Sequence, residues 1–174
     1  GAGRWMAVWS SEEPPGETIE NNADIKVSLS SDHAQTWSMP VPLAEFALTG
    51  KATDIHPVLV AVDPEHWQVV WSSDHDLNVG TDSDILTVTV EQPVVWRPAS
   101  VLNDNSANQA QNDTPELSSD RNGNWLAVWR SNDDVQGSGS DYDILYSQAT
   151  DGGMTWSSAA VWLANAGTDV GSDS

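Results

Sequence analysis

A pair of tryptophans recurs three times along this chain. Trp5-Met6-Ala7-Val8-Trp9-Ser10-Ser11 returns as Trp67-Gln68-Val69-Val70-Trp71-Ser72-Ser73 and again as Trp125-Leu126-Ala127-Val128-Trp129-Arg130-Ser131, with starts 62 and 58 residues apart. A period of this size marks propellers and solenoids, whose units are too small to bury their apolar faces alone. Length alone, at 174 residues, allows one domain. The repeat subdivides that single segment, 1–174, into approximate units 1–53, 54–111 and 112–174. Function is therefore sought on a face the units share.

Each unit reads in the same order. A short apolar strand comes first, His56 to Val62 or Thr114 to Ser118, then a turn rich in Asp, Gly, Asn and Pro, then the Trp-x-x-Val-Trp strand. A polar loop follows and closes on Asp-Ile, at Asp24-Ile25, Asp84-Ile85 and Asp143-Ile144. A β-rich strand, a turn ending in Trp37, Trp96 or Trp156, and a last strand ending in Leu43, Leu102 or Leu163 complete the unit. No segment carries a sustained helical period. The expected fold is all-β: propeller blades of four antiparallel strands, about three per chain, or half of a six-bladed propeller.

Ten tryptophans stand against one phenylalanine, and nine of the ten fall at repeating positions. That regularity assigns them to packing, where large rings fill the gap between sheets. Both faces of the second strand are apolar, with Trp5, Ala7 and Trp9 on one side and Met6 and Val8 on the other. A blade between two neighbours needs this, whereas a sheet with one wet face alternates. The first unit has no innermost strand, so about eleven strands are expected rather than twelve. The tail, residues 167–174, resembles the linker before the Pro-containing first strand. The register reads as cut from a longer array, with Gly1 a processed or partial start, and open blade ends expose sheet edges. The expected partner is a second copy of the chain or further blades that close the ring.

The turn Ala149-Thr150-Asp151-Gly152-Gly153-Met154-Thr155-Trp156 and its counterpart Ser30-Ser31-Asp32-His33-Ala34-Gln35-Thr36-Trp37 resemble the Asp box, Ser-x-Asp-x-Gly-x-Thr-Trp, of the BNR-repeat, sialidase-like β-propellers. Ala149 replaces the Ser in one copy and Ala34 the Gly in the other, and the copy ending at Trp96 is degenerate. The resemblance implies a structural box: Asp32, Thr36, Trp37, Asp151, Gly153, Thr155 and Trp156 shape hairpins. Local chemistry agrees, since an Asp side chain bonds turn amides ahead of it and Gly accepts positive φ.

Sialidases of that family hold the substrate carboxylate with three arginines and use a Tyr–Glu nucleophile pair and an Asp acid, outside the two-carboxylate scheme. The Phe/Tyr-Arg-Ile-Pro motif of the first arginine is missing here. Of Arg4, Arg97, Arg121 and Arg130, only Arg130 falls near the expected binding face. Tyr142 and Tyr146 flank Ile144 in a repeat strand and read as packing residues. No catalytic residue is assigned within the chain.

The loops after the second and fourth strands emerge on one face and carry 19 of the 26 acidic residues, against a net charge of −20. Such a face repels anions and attracts cations. Six Lys plus Arg cannot build a nucleic-acid patch, and no apolar run reaches the roughly 18–20 residues of a membrane span. The absence of cysteine excludes disulfides and thiolate chemistry. Asn112-Asp113-Thr114 matches a glycosylation pattern, but Pro115 makes it a poor acceptor.

The candidate ligand or cation residues are Asp24, Asp82, Asp84, Asp141 and Asp143. Asp82, Asp84, Asp141 and Asp143 are the Ca²⁺ candidates, because Ca²⁺ takes several oxygens from a flexible loop. The simplest role of Asp24, Asp84 and Asp143 is to bond loop amides before the strand. No cofactor is required by this reading. The expected function is a non-catalytic binding or scaffold module for glycans or proteins, extracellular or periplasmic. The alternative is a fragment of a sialidase-like glycoside hydrolase with its catalytic residues outside this chain.

Overall fold

The computed structural model describes residues 3–12, 23–43, 52–63, 66–76, 82–91, 98–103 and 109–162. Its elements are eleven strands: β1 (Trp5–Glu12), β2 (Ala23–Ser30), β3 (Val41–Pro42), β4 (Asp54–Ala61), β5 (His66–Ser73), β6 (Asp84–Glu91), β7 (Ser100–Val101), β8 (Asn112–Ser119), β9 (Trp125–Ser131), β10 (Asp143–Ala149) and β11 (Ala160–Val161). They pair antiparallel into three up-and-down sheets, β1-β2-β3, β4-β5-β6-β7 and β8-β9-β10-β11. These are propeller blades, the first with three strands and the others with four among the described residues. Trp96, Leu163 and the tail 167–174 lie outside the described residues.

The registers superimpose from blade to blade. Ser11 faces Asp24 as Ser73 faces Asp84 and Ser131 faces Asp143. The outermost strands hold only two residues each and close on a backbone bond from Leu43 to Ile25 and from Leu102 to Ile85, both 2.8 Å. In the third blade Trp162 makes the equivalent bond to Ile144. The position assigned to Leu163 by sequence therefore belongs to Trp162, one residue earlier. An apolar side chain suffices there, so the Leu pattern did not fix the register.

The innermost strands begin two residues earlier than the apolar pattern indicates. β4 opens at Asp54 and β8 at Asn112. Both are bulged at the proline, between Ile55 and Val58 and between Asp113 and Glu116. His56 and Thr114, the residues preceding Pro57 and Pro115, take positive φ values of 55° and 49°. Proline lacks a ladder donor and suits an edge strand or a bulge, and these strands supply both.

Two apolar layers hold the three blades together. Met6, Ile25, Val27 and Leu43 of the first blade meet Trp67, Val69, Trp71, Leu86, Val88 and Val90 of the second. Val70, Ile85 and Leu102 of the second meet Leu117, Trp125, Ala127, Trp129 and Leu145 of the third. The tryptophan face of each later blade thus covers the opposite face of the one before it.

Among the described residues only the middle blade is covered on both sides, and β5 is buried almost throughout. β9 alternates between buried and half-buried residues. Trp71 and Trp129 are each 1% exposed, whereas Trp5 is 55% exposed because no blade covers its face among the described residues. The assignment of the repeating tryptophans to packing is thus correct for the second and third pairs. Trp37 is also exposed, and Trp156 is half-buried.

Candidate functional site

Antiparallel up-and-down order sends the ends of β1, β5 and β9 and the starts of β2, β4, β6, β8 and β10 to one face. Asp24, Asp54, Asp82, Asp84 and Asp143 gather there, and all five are buried. The acidic face expected from loop parity therefore has an inner row of carboxylates held at strand ends. Glu13, Glu17, Glu20, Glu45, Asp104, Asp169 and Asp173 lie outside the described residues.

The start of each innermost strand is held by an indole. Trp71 Nε1 donates to Asp54 Oδ1 over 3.0 Å, and Trp129 Nε1 to Asn112 Oδ1 over 3.1 Å. The backbone N–H one residue earlier is bound as well, from Thr53 to Asp74 and from Gln111 to Asn132. Burial pushes the Asp54 carboxyl above its usual range; bonds from Ser73 and Trp71 oppose that, and the nearby Asp24 charge adds to it. Asn112 occupies the equivalent place without a charge, so indole binding is the shared role.

Asp84 Oδ1 accepts from Asn103 Nδ2 over 2.8 Å, while Asn103 Oδ1 accepts the Ile85 backbone N–H over 2.7 Å. Sequence reasoning gave Asp84 loop amides as partners; its Oδ1 meets a side chain from the connector after β7. Asn103 follows the repeating Leu102 directly, and that adjacency was the available signal. Ser83 ties the second blade to the third, with Ser83 Oγ donating to the Asn112 carbonyl and Asn112 Nδ2 to the Ser83 carbonyl. Asn112 is fully buried, so it presents no glycan acceptor.

Of the calcium candidates, Asp82 and Asp84 belong to the second blade, and Asp141 and Asp143 take the matching places in the third. Asp141 is half-buried, and its Oδ2 is an enclosed atom without a hydrogen-bond partner. Asp24 lies 3.6 Å from Lys26. Among the described residues no three carboxylate or imidazole groups converge as a metal-holding set.

Arg130 is spoken for. Its guanidinium binds Asp113 twice, at 3.0 and 2.8 Å, and sits 4.4 Å over the Tyr142 ring. Tyr146 meets Trp162 edge to face, with centroids 5.5 Å apart. These residues pack and pair across strands, as their sequence setting indicated.

The opposite face carries the Asp turns. Asp32 accepts from the Gln35 and Thr36 amides at 3.1 and 2.9 Å and from Thr36 Oγ1 at 2.6 Å, with Ser30 Oγ on the same carboxylate. Those bonds, chiefly from the Thr36 side chain, lower its pKa to about 2. Asp151 repeats the arrangement with the Met154 and Thr155 amides and the Thr155 hydroxyl, and its pKa is lowered for the same reason. Trp156 Nε1 donates back to the Gly153 carbonyl over 3.1 Å. The turns before β1 and β9 lie alongside: His33 N bonds Gly3 O at 2.9 Å and Gly152 N bonds Gly123 O at 3.0 Å. All of these bonds lie within or between hairpins.

No protein-family model matches the sequence, and no curated protein matches it. Solved structures do resemble it. A microbial sialidase, Hadza Hz136, superposes with a TM-score of 0.66 at 14% identity, covering 91% of this chain and 35% of that one. The GH93 α-L-arabinofuranosidase of Fusarium graminearum, solved with arabinobiose, gives a TM-score of 0.61 at 17% identity, covering 92% and 46%. The fold is therefore that of the sialidase-like β-propellers. The chain spans less than half the length of these structures. No helix among the described residues is long and apolar enough to cross a membrane.

Proposed function

We propose that this chain is a three-blade stretch of an Asp-box propeller that works as a binding or scaffold module, outside the cytoplasm, through its acidic face. The observation that carries the proposal is the buried row Asp24, Asp54, Asp82, Asp84 and Asp143, with Arg130 on that face bound to Asp113. A field of that sign favours cationic protein segments or neutral glycans over sialic acid or other anions. The proposed ring is completed by further blades or by a second copy, to six blades.

The test is a glycan array and a panel of basic peptides, probed with the assembled protein at two salt concentrations. Binding that weakens with salt and is lost when Asp74 and Asp76 become Asn supports the proposal. A blank on both panels overturns it.

A second reading makes the chain part of a glycoside hydrolase whose catalytic residues lie elsewhere. It is favoured by the two solved structures, a sialidase and an arabinofuranosidase. Fold similarity alone is a weak warrant for activity. Hydrolysis of a fluorogenic sialoside or α-L-arabinofuranoside by the chain in its full-length context decides it, and no turnover of either excludes those two activities.

A further inference from the structure

We propose that the cleft between the second and third blades, on the Asp-turn face opposite the acidic row, binds a neutral sugar. The cleft has a volume of about 390 Å³, within the range of small-molecule sites. One wall is Gln68, Thr87, Thr89 and Ser100 of the second blade, and the other is the Gly152–Met154 turn of the third. The site is separate from the acidic face and does not depend on what that face binds.

The polar wall departs from the repeat. Gln68 pairs with Thr89 and Val70 with Thr87, as Met6 pairs with Leu29 and Val8 with Val27 in the first blade. At the seam between the first and second blades the matching residues Met6, Val27 and Leu29 are apolar and packed. A face that meets a neighbouring blade gains stability from such burial. Gln68 and Thr87 are instead polar, at 1% and 2% exposure, which is costly unless each group is bonded. Here a chain of bonds holds them. Thr89 Oγ1 donates to Gln68 Oε1 at 2.8 Å, Gln68 Nε2 donates to Thr87 Oγ1, and Thr87 Oγ1 donates to the Val69 carbonyl at 3.0 Å. The amide and both hydroxyls are thereby fixed in orientation at the cleft.

The lining sets the class of ligand. Thr89 has committed its proton to Gln68, so its oxygen can only accept from a ligand. Ser100 brings an exposed hydroxyl, and His66, whose Nδ1 lies 2.7 Å from Asp63, brings Nε2. Trp125 Nε1 is an enclosed donor without a hydrogen-bond partner. A Cβ on Gly153 would stand 3.7 Å from Trp125 Cδ1 and 2.9 Å from Gln68 Oε1, so indole and amide flank the same glycine. Mixed donors and acceptors suit sugar hydroxyls, each of which does both. No Lys, Arg, Asp or Glu lines the cleft among the described residues, so a charged ligand gains no counter-charge. Val62, Pro98 and the exposed Met154 offer apolar surface to the C–H face of a ring.

The test titrates the whole chain with the methyl glycosides of glucose, galactose, mannose and xylose, and with glucuronate as the charged counterpart, followed by NMR. The expected result is saturable binding of at least one neutral glycoside that shifts the Trp125 indole and Gln68 amide resonances, with glucuronate weaker. Thr89→Val should weaken it by roughly fivefold. The double change Gln68→Met with Thr89→Leu installs the residues of the first blade, Met6 and Leu29. It should melt at or above the parent and lose binding; if it does not fold, Thr89→Val decides. Asp74→Asn with Asp76→Asn should leave this binding unchanged, which separates it from the acidic face. No saturable shift from any of these glycosides at about 100 mM overturns the proposal. Binding that survives in the folded double variant, is untouched by Thr89→Val, or disappears with Asp74 and Asp76 overturns it as well.

Discussion

The indole of Trp71 and the carboxylate of Asp54 are joined by a 3.0 Å bond, Nε1 to Oδ1, that ties the second strand of a blade to the start of its innermost strand. One blade on, Trp129 and Asn112 make the same bond at 3.1 Å. The two acceptors differ in one respect: Asp54 titrates and Asn112 does not.

That difference predicts the behaviour of Asp54→Asn. Burial raises the folded-state pKa of Asp54, so the folded chain holds the proton more tightly than the unfolded chain. Both states are protonated below the unfolded value of about 3.9, and no penalty exists there. As pH rises from that value through the raised folded one, the unfolded state gains and stability drops. Asn keeps the Oδ1 acceptor and removes the drop. Asp54→Asn should therefore melt above the parent chain at pH 7, with the difference vanishing near pH 3.5. A pH-independent difference would show that the charge of Asp54 is not what matters.

Asp32 should behave in the opposite sense. Its pKa is lowered to about 2, first by the Thr36 hydroxyl and then by the Thr36 amide and Ser30. The stability it contributes is present above the unfolded value and is lost as pH falls through about 2. Asp32→Asn should lower the melting temperature at pH 7, and the gap to the parent should close between pH 4 and pH 2. Thr36→Val should reproduce part of the effect, because it removes the hydroxyl that donates to Asp32 Oδ2.

Gly153 carries two constraints at once. Its φ is 86°, and a Cβ there would stand 2.9 Å from Oε1 of Gln68 on the neighbouring blade. Gln68 is itself held, donating to Thr87 Oγ1 and accepting from Thr89 Oγ1. Gly153→Ala should cost about 1–3 kcal/mol, from left-handed strain plus overpacking. In a Gln68→Ala background the cost should shrink to the backbone part alone, and equal costs in the two backgrounds would remove Gln68 from the account.

The tryptophan pairs should separate by blade. Trp71→Phe leaves a buried Asp54 oxygen without its donor and opens a void, with an expected loss of roughly 2–4 kcal/mol. Trp9→Phe, on the open face, should stay within about 0.5 kcal/mol of the parent in the isolated chain. Urea unfolding followed by circular dichroism measures both.

The sequence by itself determined the repeat, the order of the eleven strands found among the described residues, and the face that carries the carboxylates. These follow from period, parity and turn chemistry, all of which are local. The two Asp turns were also readable, because every partner of Asp32 and Asp151 lies within four residues.

Only the tertiary structure decided which tryptophans are enclosed. Trp5 and Trp67 occupy the same place in the repeat, yet one is 55% exposed and the other 4%. Burial there depends on whether a neighbouring blade covers the face, and nothing within the unit encodes that. The Asp84–Asn103 contact, the lock of Asn112 on Trp129 and the approach of Gly153 to Gln68 join residues that meet only after sheets form and stack. The tryptophan pairs thus set a local pattern three times over, and packing between blades decided what each pair is for.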